Sequence, residues 1–180
     1  MTDEELALAL QRGDRSSLTP LVERYYDPLL GYLYRLMNGD RMLAQDLVQE
    51  TFLRVLRAIW QYQHPRPFRP WLYAIATHIA RSHYQRADTR RTLLLEDDFD
   101  PPDDADPPDA RVIARQDAQS VAAAVATLPE DQRETLILFY YQALSYQEIA
   151  AALEIPIGTV KSRLSISIRR LREQLMAGER

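Results

Sequence analysis

Apolar residues recur at intervals of three and four along most of this chain, the period that lines one face of a helix, so the pattern predicts an all-α fold. The first helix is short, with Thr2 or Asp3 at its start, Leu6 and Leu10 on one face and Gly13 just past its end. A second, from about Ser17 to Met37, is expected to bury Leu21, Val22, Tyr25, Leu29, Leu33 and Leu36, and Asn38-Gly39-Asp40 reads as a turn. Asp40 can cap a third helix through about Tyr62, with Ala44, Leu47, Val48, Phe52, Val55, Leu56 and Ile59 inward and Asp46, Gln49, Glu50, Leu53, Arg54 and Arg57 outward. After the proline-studded Gln63-His64-Pro65-Arg66-Pro67, a fourth helix from about Arg69 to Arg86 is expected to bury Trp71, Leu72, Ile75, Ala76 and Ile79. Its predicted outer face is Tyr73, Thr77, His78, Arg81, Tyr84, Gln85 and Arg86, while Trp60, Phe68 and Trp71 are expected in the core.

The second half opens with an alanine-rich helix over 111–127. Pro129 begins another, with Glu130 and Asp131 at its positive end, and Leu136, Ile137, Phe139 and Tyr140 are expected to pack behind the two helices after it. Ser145 lies three residues before Glu148, the capping-box spacing in which hydroxyl and carboxylate each satisfy a free N–H at a helix start. That helix runs through Ile149, Ala150 and Leu153 and ends near Glu154-Ile155, because Pro156 disfavours helical geometry in the residue before it. Pro156 can itself open the next helix. There Ile157, Val160, Leu164, Ile168, Leu171 and Leu175 make an apolar stripe, and Thr159, Ser162, Arg163, Ile166, Arg169 and Arg170 face the other way, with Lys161 and Arg172 on the flanks. Hydroxyls and cations on one face of a helix that begins at a tight turn suit a major-groove reader, in a helix-turn-helix arrangement. An ordinary helical hairpin with a solvated basic face has the same pattern.

A net charge of −4 at first argues against a nucleic-acid partner. Eight acids (Glu96, Asp97, Asp98, Asp100, Asp103, Asp104, Asp106 and Asp109) fall in one stretch without a base among them, and the rest of the chain carries +4. With Pro101-Pro102 and Pro107-Pro108, residues 92–110 read as an acidic linker between a four-helix amino-terminal domain, 1–91, and a carboxy-terminal domain, 111–180. Nineteen such residues at ~3.1 Å each reach on the order of 60 Å, comparable with ~17 base pairs at 3.4 Å. The chain has no cysteine, and His64, His78 and His83 are scattered, so neither a metal nor another cofactor is expected. No signal segment and no apolar run near ~18 residues is apparent, which leads to the expectation of a cytoplasmic protein. No nucleophile-base pair or carboxylate cluster outside the linker argues for catalysis.

The run LPEDQRETLILFYYQALSYQEIAAALEIPIGTVKSRL, Leu128 to Leu164, resembles the promoter-binding fourth region of bacterial RNA polymerase sigma factors of the extracytoplasmic-function type. DLVQETFLRVLRAI, Asp46 to Ile59, resembles the same family's second-region helix that binds the polymerase clamp, and FRPWLYAIATHIARSHYQR, Phe68 to Arg86, its segment that opens and reads the minus-ten element. The resemblance implies a non-enzymatic initiation factor whose partners are core RNA polymerase, promoter DNA and an anti-sigma factor. By position it assigns Asp46, Gln49, Glu50 and Leu53 to the polymerase. It assigns the loop from Tyr62 to Pro67, with its His64 and Arg66, to a flipped non-template base, with His78 and Arg81 beside it. Thr159, Lys161, Ser162, Arg163, Ile166, Arg169 and Arg170 go to the minus-thirty-five element. In the family the linker threads the polymerase's channels; for this one a mimic of nucleic-acid charge and a solvated spacer are equally open.

Two departures stand out. The family usually carries arginine at the positions of Ile166 and Ile168, and its glycine-containing loop is replaced here by the stiffer His64-Pro65-Arg66-Pro67. The competing class is a stand-alone helix-turn-helix regulator that binds duplex operators without polymerase. Such a protein has no use for the polar face of Asp46 to Ile59.

Overall fold

The structure, a computed structural model, describes residues 1–94 and 112–178. The acidic stretch from Glu96 to Asp109 lies outside them. Among the described residues every regular element is helical: α1 (Asp3–Gln11), α2 (Leu18–Leu36), α3 (Arg41–Ala58), α4 (Phe68–Leu94), α5 (Val112–Ala126), α6 (Glu130–Tyr140), α7 (Tyr146–Leu153) and α8 (Ile157–Gly178), with 3-10 turns at Arg15–Ser17 and Ile59–Gln61. None of these helices is long and apolar enough to cross a membrane.

Local chemistry sets most of the boundaries. Thr2 accepts from the Glu5 N–H at 3.2 Å while the Glu5 carboxylate accepts from the Thr2 N–H at 2.8 Å, a reciprocal pair that starts α1. Asp40 caps α3 through the Leu43 N–H at 2.9 Å. The turn before it needs left-handed backbone at Asn38 (φ 53°) and Gly39 (φ 90°), conformations that asparagine and glycine tolerate best. α4 runs past the expected Arg86 to Leu94, into the first residues assigned to the linker.

The core is one contiguous cluster that spans both halves of the chain. In the amino-terminal half Leu21, Leu29, Leu33 and Leu36 of α2 meet Ala44, Val48 and Val55 of α3 and Phe68, Leu72 and Ala76 of α4. Each leucine so buried contributes on the order of 2 kcal/mol. Thr51 shares the inward face of α3 because its hydroxyl donates to the Leu47 carbonyl at 2.7 Å and so needs no water. Leu56, expected inward, is instead 37% exposed: α2 and α4 cover the Ala44–Leu47–Thr51–Val55 side, and one residue further on points past them.

Trp60 also departs from expectation, at 71% exposed. The 3-10 turn after α3 has three residues per turn, so Ile59 and Tyr62 both point inward and the residue between them points out. Gln11 holds this turn to α1 by donating to the carbonyls of Ile59 and Tyr62 at 3.0 and 2.9 Å.

The carboxy-terminal half is a bundle of α5 to α8, with Leu136, Ile137, Leu138, Ile149, Leu153, Val160 and Leu164 inside. The Ser145 capping box forms as its spacing predicts, at 3.2 and 2.8 Å. Ser145→Ala is expected to cost about 1 kcal/mol, seen in thermal unfolding as a Tm lower by about 2–4 °C. α7 closes on Glu154 in left-handed geometry (φ 56°), which makes the sharp turn into α8.

Along α8 the inward positions are Val160, Leu164 and Ser167, the last satisfied by donating to the Arg163 carbonyl at 2.7 Å. Ile157 (41% exposed) and Ile168 (37%) are therefore outside the stripe in which periodicity placed them. Ile168 instead lines an open apolar groove of about 540 Å3 with Val125, Leu136, Tyr140, Leu171 and Met176. Tyr140, expected behind the helix-turn-helix, stands on that groove's rim, 57% exposed.

Candidate nucleic-acid interface

Three surfaces carry the residues singled out by sequence. On α3, Asp46, Gln49, Glu50 and Leu53 are all exposed and lie along one side, and Leu53 is 53% exposed. Leu56 and Trp60 extend that side, so the outer face of α3 is more apolar than its sequence suggested.

The second surface is the loop after α3 and the face of α4 beside it. His64, Arg66 and His78 are exposed. Tyr62 is not: its ring is 3% exposed, packed against Phe68 and Trp71 with ring centroids 5.8 and 5.4 Å away, and its hydroxyl donates to the Arg66 carbonyl. Burial, with the Glu4 and Asp3 charges, pushes its phenol up to about 12, so it remains a donor at neutral pH. Tyr62 thus shapes the loop that presents His64 and Arg66 and does not offer its own ring to a base.

Tyr73 and Thr77, expected outside, are 0% and 1% exposed. The Thr77 hydroxyl is 2.7 Å from that of Tyr32, and Tyr73 meets the Tyr32 ring edge to face. From the other side α7 and the segment before it cover α4. The Tyr73 hydroxyl, its phenol pushed up to about 12 by burial, donates to the Gln142 side chain at 2.7 Å, and Arg69 donates to the Gln142 carbonyl. Tyr84 is likewise part-buried, donating to the Leu36 carbonyl.

Arg81, assigned to DNA, is already engaged. Its Nε and Nη2 donate to the two carboxylate oxygens of Glu134 at 2.9 and 2.6 Å. Glu134 is 1% exposed; burial pushes its carboxyl above the ordinary range and the Arg81 guanidinium offsets part of that rise. Between the two halves lies a cleft of about 270 Å3, with Trp71, Ile75, His78 and Arg81 on one wall and Leu153 and Glu154 on the other.

The third surface is α8. Lys161, Ser162, Arg169 and Arg170 are exposed, and Thr159, Arg163 and Ile166 are half-buried beside them. Arg163 is tied down by an ion pair with Asp131 at 3.3 Å, and Arg170 donates to the Gln132 side chain at 3.1 Å. Lys161 sits 5.8 Å from the Tyr146 ring centroid. Among the described residues Lys161 and Arg169 are exposed and, like Arg170 and Arg172, enter no ion pair. Ile166→Arg is expected to add about one phosphate contact, steepening the fall of duplex affinity with salt by about 0.9 in log–log slope, as a titration of binding against salt reads directly.

Among the described residues no group of three or more His, Asp or Glu is placed to hold a metal ion. The chain offers a basic helix at a tight turn, a cleft between its halves and a separate polar-apolar face on α3. Residues 21–90 match the family model Sigma-70 region 2, and residues 118–171 match Sigma-70, region 4. The RNA polymerase sigma-H factor of Pseudomonas aeruginosa is 32% identical over 170 residues, which cover 90% of this chain and 88% of that protein. The chain is a sigma factor of the extracytoplasmic-function family.

The ECF RNA polymerase sigma-E factor of Haemophilus influenzae is similar too, 31% identical over 91% of this chain and 90% of its own length. The solved structure of CnrH in complex with the cytosolic domain of CnrY has the same fold, with a TM-score of 0.75 at 24% identity over 97% of each chain. This sigma factor is accordingly a transcription initiation factor that works with core RNA polymerase and promoter DNA. It is not an enzyme; polymerisation belongs to the polymerase. The stand-alone regulator is not the better account, because region 2 matches over the half of the chain that such a regulator leaves unexplained.

Proposed function

We propose that the sigma factor divides promoter recognition between its two halves. Region 2 docks on the polymerase clamp through Asp46, Gln49, Glu50 and Leu53. It holds the melted non-template strand of the minus-ten element with His64 and Arg66 of the loop, His78 and Arg81 of α4, and Tyr62 as the buried support of that loop. Region 4 lays α8 in the major groove of the minus-thirty-five element, with Lys161, Arg163, Arg169 and Arg170 on phosphates or base edges and Thr159, Ser162 and Ile166 against the bases. The observation that carries this reading is the separation of an exposed face of mixed charge with apolar Leu53, Leu56 and Trp60 on α3 from exposed cations on α8: one surface suits protein, the other suits duplex DNA.

Extruding a base costs a few kcal/mol, which a close-fitting pocket must offset. The proline-stiffened loop suits that task, since a prearranged pocket loses little entropy on binding. The protein acts in the cytoplasm, on the nucleoid, wherever the polymerase initiates. An anti-sigma factor is the proposed negative regulator; a fold neighbour, the sigma factor RpoE of Bartonella quintana, was solved in complex with the anti-sigma factor NepR.

Run-off transcription tests the whole reading, with sigma-free bacterial core polymerase on a pool of random promoters. Start sites that appear only when the protein is added, with two enriched sequence blocks upstream, are the expected result. Duplex binding without any defined start site would sink it.

A further inference from the structure

The loop from Tyr62 to Pro67 is tied at both ends to α1, a helix that the division of promoter recognition leaves without a task. At the entrance to the loop the Gln11 amide donates to the carbonyls of Ile59, Trp60 and Tyr62 at 3.0, 3.3 and 2.9 Å. These oxygens close α3 and its 3-10 turn, where a helix end leaves carbonyls without an internal partner. At the exit the Glu4 carboxylate accepts from the Phe68 N–H at 3.1 Å. Phe68 is the first residue of α4, and Pro67 before it has no side-chain oxygen, so the cap usually supplied by the preceding residue comes here from α1. Glu4 and Gln11 stand seven residues apart, which puts them on one face of α1 at a spacing of about 10 Å along its axis. The helix itself is fixed, with Leu6, Ala7 and Leu10 buried and Asp3 paired with Arg24 of α2 at 2.6 Å. Inside the loop the Arg66 N–H donates to the Gln63 carbonyl at 2.9 Å and the Tyr62 hydroxyl to the Arg66 carbonyl. The loop's interior is thus shaped by its own bonds, and its two ends by α1.

We propose that α1 is a brace that sets the minus-ten loop, with Gln11 and Glu4 as positioning residues for the flipped base. The proposal rests on the reading that Tyr62 to Pro67 holds that base. Both side chains act through the backbone they hold, one on each side of the loop. A pocket that tells one base from another needs its walls held to within about 0.5 Å. Without Gln11 the carbonyls at the entrance turn to water, and without Glu4 the first N–H of α4 does the same. The two ends then move independently, and His64 and Arg66 move with them, although the prolines keep the interior stiff. Selectivity suffers more than binding, because charge acts on phosphates over a distance whereas hydrogen bonds to a base edge weaken steeply when their geometry slips.

The test uses the full chain with core polymerase. Promoters recovered from the random pool with the wild-type protein are rebuilt with each base in turn at every minus-ten position, and run-off yields are compared. Gln11→Met and Glu4→Met remove the donors and the acceptor at nearly constant side-chain length, and Glu4→Gln keeps an oxygen at the acceptor position. In Gln11→Met and Glu4→Met the ratio of yields between best and worst base is expected to fall about five- to tenfold at one minus-ten position. Ratios at the other positions and affinity for core polymerase are expected to stay as they are, and Glu4→Gln is expected to retain the wild-type ratio. A role confined to stability lowers the yield for every base alike and leaves all ratios in place. That result, or a fall shared by all positions, would overturn the brace while leaving the promoter reading intact. A wild-type protein with defined start sites but no base preference at any minus-ten position would overturn the assignment of the loop to a base, and the brace with it.

Discussion

Asp46→Arg combined with Leu53→Glu is expected to weaken binding to core RNA polymerase by about 100-fold or more and to abolish promoter-directed run-off transcription. The two positions supply different things, and together they account for an effect of that size. Leu53, 53% exposed between polar neighbours, has the character of an apolar anchor that desolvates on docking. Replacing it with a carboxylate places a charge in the contact, and reversing Asp46 turns an attraction into a repulsion; together such changes reach several kcal/mol. Both side chains project into solvent in the free protein, so stability is expected to stay within about 0.5 kcal/mol. Duplex DNA affinity is expected to be unchanged, because α8 is untouched. Unaltered polymerase affinity, measured by competition against labelled protein, would move the docking face elsewhere.

Lys161→Ala with Arg169→Ala carries the second large effect. These cations are exposed on α8 and, among the described residues, in no ion pair, so their whole charge is available to phosphates. Loss of both is expected to weaken binding to minus-thirty-five duplexes. It should also flatten the slope of log affinity against log salt by about 1.8, at 0.9 per phosphate. Arg163→Ala is expected to do less to the slope, since its guanidinium already faces Asp131 at 3.3 Å and part of its charge is neutralised before DNA arrives. A slope unchanged in the double variant would show that these side chains do not meet the backbone, and the reading face of α8 would have to be redrawn.

Residue order by itself determined the helices and most of their ends, because caps and turns are local. Thr2 with Glu5, Asp40, and Ser145 with Glu148 each act within three residues, and the bonds they promise are present. The polar positions on the outer faces of α3 and α8 were legible for the same reason, since a helix fixes which positions share a side. What the period of 3.6 cannot tell is how wide the covered arc is. That width depends on which neighbours arrive, so Leu56, Trp60, Ile157, Ile168 and Tyr140 stand outside although their spacing placed them within.

The face of α4 shows the limit most clearly. Tyr73, Thr77 and Arg81 look like an open polar side along the sequence. The groups that cover or engage two of them, Gln142 for Tyr73 and Glu134 for Arg81, lie 69 and 53 residues further on, beyond the acidic linker. Nothing local in either segment announces the pairing, because a buried tyrosine donor and a buried glutamate are tolerated only once a specific partner is brought to them. Sequence therefore settled the family, the helices and which charges each helix carries, and tertiary packing alone decided that this face of α4 is the one the carboxy-terminal helices rest upon.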